Sequence, residues 1–350
     1  MWRKKIPFAL LILLAGALLT GKSVFAQTPT PGSFDLTTSP VFFDFNTKPG
    51  NSISDKLRVR NNTNADMTLK VDIKKLGGDP RIGELTIIDP EQNDPFVGWI
   101  KFKDNQFSAR SREWVDVPFT INVPKDAAFG YYYAITLSQV NNGSVVKNGA
   151  SLTGASALPV LLVVQSDGAK SKANLLEFKT NNFVNEFLPI DFTVRLENVG
   201  NVHVRPHGNI FIRSGKDHDL AILDVNQGQG ALIPGVSRTY QASWDDGFIV
   251  REPVMEDGAI KYDKNRNPVT KIKINWDKLT HMRIGKYTAN LLLVYDSGKR
   301  DEVIEGTTTF WVIPYTFIAI VLAGLVVAIL ILRFLLKAYV NRELRRREKR

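Results

Sequence analysis

Between residues 34 and 312 apolar and polar positions alternate with a period of two. Ile53, Leu57 and Val59 fall on one side of an extended chain, and Lys56, Arg58 and Arg60 on the other. Met67, Leu69, Val71 and Ile73 alternate with Thr68, Lys70, Asp72 and Lys74. Val115, Val117, Phe119, Ile121 and Val123 repeat the pattern against Asp116, Thr120 and Asn122. Each run reads as an antiparallel strand with one face to a core and one to water. Turn-forming stretches such as Arg60–Asp66 and Gly77–Pro80 separate them, and no stretch between 34 and 312 favours a helix. The predicted fold class is all-β, two tandem immunoglobulin-like β-sandwiches followed by a single transmembrane helix.

The tandem follows from a repeated order of signals. One strand pair turns on Asn61-Asn62-Thr63-Asn64, and a later one on Asn198-Val199-Gly200-Asn201. A turn then leads to a strand, Arg110-Ser111-Arg112 before Trp114 and Pro234-Gly235 before Tyr240. Finally Gly130-Tyr131 opens a strand in the first half, as Gly285-Lys286-Tyr287 does in the second. The expected domains are residues 34–166, distal to the membrane, and 172–311, proximal to it, with a hinge at Gln165–Gly168. Residues 27–33, with two prolines, form a flexible lead. The second domain carries an insertion, 247–282.

Two longer apolar runs lie outside this pattern. Arg3-Lys4-Lys5, the apolar Ile6–Leu19 and Val24-Phe25-Ala26 form the three parts of a secretory signal, residues 1–26. Residues 312–332 contain no charge, which as a helix is about 31 Å, enough for a bilayer core. Trp311 and Tyr315 stand where an aromatic belt belongs. Arg333, Lys337 and the cluster Arg342–Arg350 make residues 333–350 a basic cytoplasmic tail.

Charge sharpens this picture. The chain is +10, but residues 1–26 hold +4 and residues 333–350 hold +6, so the part between is neutral. The basic excess is therefore a topology signal and not a nucleic-acid footprint. The expected protein is single-pass in a bacterial cytoplasmic membrane, with its N-terminal domains outside and its C-terminus inside.

Catalytic chemistry is not encoded in any recognisable cluster. There is no cysteine, hence no disulfide or thiolate site. No nucleophile elbow, paired-histidine metal helix or phosphate loop occurs. His203 and His207 are four apart but lie in a strand-turn region, where they do not share a face. Asp263–Asn267 starts like a calcium loop, yet Pro268 replaces the required glycine and Ile274 the bidentate glutamate. It reads as a hairpin turn. No cofactor and no enzyme activity are expected, and Asp245-Asp246 beside Trp244 is the only acidic pair worth inspection.

Recognition is expected at the far tip of the first domain, where loops gather. Asn61, Asn62 and Asn64 lie in one turn there, and Asn141 and Asn142 open a long Gly/Asn/Ser-rich loop, Asn141–Ser156. Trp114 and Tyr132 lie on the more polar faces of their strands and complete the candidate ligand surface. Tyr131 and Tyr133 share a face with Ile135 and Leu137 and read as core or tyrosine corner.

Several phrases carry a resemblance: Phe34-Asp35-Leu36, Lys48-Pro49-Gly50-Asn51-Ser52, Leu57-Arg58-Val59-Arg60-Asn61-Asn62, and Val123-Pro124 followed by Phe129-Gly130. With the order of signal, two β-domains, span and basic tail, they resemble the WxL-interacting cell-surface proteins of Gram-positive bacteria. That resemblance implies a scaffold whose first domain contacts peptidoglycan and whose second holds a surface-protein partner. The insertion 247–282 departs from the family layout, and no family site maps onto individual residues. The expected function is a non-enzymatic, membrane-anchored envelope protein binding cell-wall glycan, a surface protein or both. The alternative is a chaperone-like factor that captures a client strand by β-addition, which requires an exposed apolar sheet edge.

Overall fold

A computed structural model describes residues 34–78, 85–92, 94–140, 155–215 and 219–347. Residues 1–26 and 27–33, read above as a signal and a lead, and Asn141 and Asn142 with most of their loop lie outside the described residues.

The alternating runs become two pairs of facing sheets. In the first half one sheet runs β1 (Leu36–Ser39), β3 (Ser52–Asn61), β8 (Trp114–Asn122) and β6 (Ile100–Phe102). Opposite it lie β2 (Phe43–Thr47), β10 (Ala155–Val164), β9 (Phe129–Gln139), β4 (Met67–Gly78) and β5 (Leu85–Ile88), with β7 (Gln106–Ala109) also pairing β4. Leu57, Val59 and Phe119 from one sheet meet Leu69, Val71, Tyr133 and Ile135 from the other in one buried core. The phenol of Tyr131 accepts the Ala128 N–H at 3.2 Å and closes a corner at the start of β9.

The second half repeats the plan. β11 (Ala173–Thr180), β13 (Ile190–Asn198) and β16 (Ser237–Trp244) form one sheet. The other runs β12 (Val184–Asn185), β22 (Asp301–Val312), β21 (Gly285–Asp296), β14 (His207–Arg213) and β15 (Ala221–Val225). Burial along β13 alternates without a fault, with Ile190, Phe192, Val194 and Leu196 inward. Phe192, Trp244, Tyr287 and Phe310 form an aromatic centre with ring centroids 5.2–6.2 Å apart.

The insertion leaves this sandwich after Trp244. It is a two-stranded ribbon of β17 (Ile249–Pro253) and β20 (Thr270–Ile274), extended by a small hairpin of β18 (Met255–Glu256) and β19 (Ala259–Ile260). A short 3-10 turn, Trp276–His281, returns the chain to β21. Asp263 accepts the N–H groups of Asn265 and Asn267, each at 2.8 Å, so this segment is the hairpin turn its sequence suggests.

The two halves touch through a small apolar contact. Leu76 and Leu161, on the outer face of the first half, meet Ile233 and Val236 of the second, with Tyr132 and Ala231 beside them. Burying four such side chains contributes about 1.5–3 kcal/mol each before entropy is counted. Polar contacts flank it: Gly130 N–H donates to the Asn201 carbonyl at 3.1 Å, and Arg205 pairs with Asp44 at 2.5 Å.

β22 leads into α1 (Tyr315–Arg347), a helix of 33 residues. Of these, Tyr315–Tyr339 are long and apolar enough to cross a membrane, with mean hydropathy 2.9. The charge-free run 312–332 is thus shared by two elements. Val312 is the buried last residue of β22, and Ile313 N–H still donates to the Asn185 carbonyl at 2.8 Å. Pro314, which has no N–H, ends the ladder, and its carbonyl accepts the first helical bond from Ile318 at 3.0 Å. Arg333 and Lys337 continue the same helix rather than beginning a separate tail.

Candidate functional site

The far end of the first half gathers three segments. β3 ends at Asn61, β4 begins at Met67, and the Arg110–Glu113 turn joins β7 to β8. The end of β9 reaches the same place, since Val140 N–H donates to the Thr68 carbonyl.

Asn61 does not belong to a ligand surface. It is fully buried, donates its amide to the carbonyls of Ala65 (2.8 Å) and Ala109 (2.9 Å), and accepts the Thr63 N–H at 2.9 Å. A buried amide can satisfy turn backbone that water cannot reach, and that is its role here. Asn198 does the same in the second half. It donates to Val202 and Leu232 carbonyls at 2.9 and 2.7 Å and accepts the Gly200 N–H at 2.8 Å.

Asn62 and Asn64 are nearer the solvent but engaged. Asn62 donates to Asp35 (3.0 Å) and Thr37 (2.8 Å), tying the turn to β1. Asn64 accepts two bonds from the Arg112 guanidinium, at 3.2 and 2.9 Å. Trp114 is 41% exposed, with the Arg58 guanidinium 4.9 Å from its ring centroid. Asp116 sits beside them, and the hydrogen bond from Lys56, with help from Arg58, holds its carboxyl below the usual range. The result is a ring face edged with cations on an open sheet surface.

Tyr132 is not part of this surface. Its phenol accepts the His203 N–H at 2.6 Å, and burial pushes its pKa up. The second half covers the face that its strand pattern offers to water. The signal for this was β10, whose run Leu158–Val164 has no polar residue to mark a wet face.

A feature the alternation did not single out is β5. Among the described residues it is the terminal strand of its sheet, and Leu85, Ile87 and Ile88 are all exposed. The strand contains no charge and no proline.

At the other end, Trp311 is half-buried in β22 while Tyr315 begins α1 in the open. Glu186, an enclosed carboxylate beside β12, accepts the Thr316 N–H at 3.2 Å and pairs with Arg251 of the insertion. Enclosure opposes its ionisation, but these bonds outweigh that and lower its pKa. An acid at a helix N-terminus also meets the positive end of the helix dipole. Asp246 is a second hub, paired with Lys278 (3.0 Å), His281 (2.9 Å) and Arg283 (3.2 Å). Partial burial works against its charge, yet the bonds from Lys278 and His281 prevail and lower its pKa. Its carboxylate is fully used in fastening the insertion. Among the described residues, no three His, Asp or Glu side chains converge as a metal site would require.

No family model matches the chain. Its sequence is 31% identical over 91 residues, 25% of this chain, to the F-actin-capping protein subunit alpha of Gibberella zeae. The chain spans only 32% of that curated relative's length. Among solved structures it is similar to the CsuC–CsuE chaperone–tip adhesion subunit complex of Acinetobacter baumannii, at 10% identity and TM-score 0.35, over 77% of this chain and 97% of that one. The E. coli chaperone DraB gives 10% identity and TM-score 0.33, over 79% and 97% of the two chains. Likenesses at these scores say nothing of what this chain binds.

Proposed function

We propose that the chain is a non-enzymatic envelope protein, held in a membrane by α1, whose first half binds an extended segment of a protein partner along β5. One observation carries this reading: among the described residues β5 ends its sheet, with Leu85, Ile87 and Ile88 exposed. Natural sheets usually blunt such an edge with lysine, proline or a bulge, because unpaired N–H and C=O groups invite another strand. β-Addition uses those groups for affinity and alternate side chains for selectivity.

The test is a pair of proline substitutions, Thr86→Pro and Ile87→Pro, in the full-length protein. Successive N–H groups of a strand point to opposite sides, so one substitution removes a group bonded to β4 and the other a group facing outward. Partner recovered from native membranes by cross-linking at β5 should be lost in the outward-facing variant while its unfolding curve stays unchanged. Equal recovery from both folded variants would rule out strand addition here.

A second reading is favoured by Trp114, where an exposed indole lies against Arg58. Such a platform suits stacking on cell-wall glycan. Saturable sedimentation of the protein with isolated peptidoglycan sacculi, lost in Trp114→Ala, would support it; a protein that stays in the supernatant would refute it.

On both readings the two halves are immunoglobulin-like domains, 34–166 and 172–311, outside the cytoplasmic membrane. The signal 1–26 is removed and the basic C-terminus stays inside. The resemblance to WxL-interacting proteins makes a WxL surface protein the partner to try first.

A further inference from the structure

We infer that the insertion is a foot lying in the headgroup layer of the bilayer, seated on anionic lipid. The inference rests on α1 being a membrane anchor, and three observations lead to it.

First, the insertion and the start of α1 enclose one apolar cavity of about 220 Å³, where Phe248, Trp276 and Met282 face Pro314 and Phe317. The stretch of α1 before its first charge, Tyr315–Leu332, is about 27 Å long at 1.5 Å per residue, against roughly 30 Å of hydrocarbon in a bilayer. With Arg333 at the cytoplasmic surface, Tyr315–Phe317 stand at the outer boundary of hydrocarbon and headgroups, and the residues that line the cavity with Phe317 stand beside that boundary.

Second, the insertion is too small to bury its own apolar side chains. An isolated two-stranded ribbon is marginal in water. Ile272 and Leu279 are 59% and 57% exposed, and Trp276 is 75% exposed. Along β20, Lys271 and Lys273 take one face and Ile272 and Ile274 the other. Isoleucines on one face of a ribbon and lysines on the other, followed by an exposed tryptophan and leucine in the next turn, is the composition of elements that lie in a membrane surface.

Third, the charge fits. Arg251, Lys278 and Arg283 are taken up by Glu186 and Asp246, but Lys271 and Lys273 share the single carboxylate of Glu252, and Lys264 and Arg266 lie exposed in the hairpin turn. Positive charge beside an exposed apolar face is complementary to anionic headgroups.

The chain contains no cysteine, so single cysteines can carry a polarity-sensitive dye without further change. Ile272→Cys and Leu279→Cys would be labelled in the full-length protein in nanodiscs of phosphatidylcholine and phosphatidylglycerol. Asn64→Cys and Val326→Cys serve as references for the far tip and the helix interior. Lipids with nitroxides on the headgroup or at mid-chain then report depth. We expect headgroup nitroxides to quench roughly half the emission at 272 and 279, as for a segment about 5–10 Å into the interface. Position 326 should respond to mid-chain nitroxides and position 64 to neither, and quenching at 279 should fall in pure phosphatidylcholine. If 272 and 279 behave like 64 while 326 is quenched, the foot is refuted and the anchor stands. If 326 is not quenched either, the anchor and the foot fall together. Dye–dye quenching at 279 between two copies in one disc, without lipid quenching, would assign the face to self-association and overturn the inference.

Discussion

Asn61 and Asn198 use their side chains as internal struts, each closing its own turn and reaching a carbonyl from a distant segment, Ala109 or Leu232. Truncation would strand buried backbone groups, at about 1–3 kcal/mol per unsatisfied group. Asn61→Ala and Asn198→Ala should each lower stability by at least that much in chemical unfolding, with no effect expected from exposed Asn265→Ala. Gly200 is similarly constrained. A Cβ there would fall 2.1 Å from the Lys170 carbonyl oxygen, so Gly200→Ala must displace backbone and should cost about 1–3 kcal/mol in the same measurement. The sequence shows Asn61 in a turn, and turns are usually wet. Its burial depends on the Ala109 carbonyl, 48 residues away, which no local pattern contains.

Among the elements, those with strict alternation were legible: β3, β8, β13 and β4 as far as Ile73 lie where period two puts them, with the alternating apolar set inward, while Leu76 near the end of β4 faces the second half instead. β9 was half legible. Its Tyr133 face is core, but the Tyr132 face also closes, because Leu161 on β10 and Ile233 of the second half complete a contact made only in three dimensions. Leu161→Asp should place an uncompensated charge there and lower stability by several kcal/mol. Tyr132→Phe keeps the packing but leaves the His203 N–H without its acceptor, for a loss of about 1 kcal/mol. Comparing the two in thermal unfolding separates the apolar share of the contact from the polar one. β5 escaped notice because a four-residue run says nothing of whether its second edge has a neighbour.

At the scale of the molecule, two carboxylates fasten the insertion and helix to the second half, and both have lowered pKa values in the fold. A depressed carboxylate stabilises the folded state above its unfolded pKa, and that contribution disappears as pH falls through the folded value. The reference values are 4.5 for Glu186 and 3.8 for Asp246, so what these two carboxylates contribute should be lost in strong acid, below these values. Protease cutting within 247–284, followed against pH, should rise there. In Asp246→Asn it should be raised at every pH and depend less on acid. Between β22 and α1 there is only Ile313-Pro314, so the sheet joins the helix almost directly. With α1 held in a membrane, as proposed above, a load on the second half through this joint would run along β22. Its twelve register pairs with β21 are then strained together in shear, instead of parting one after another from an end. On that reading the direct joint of sheet and helix would suit the protein to bearing force as a tether.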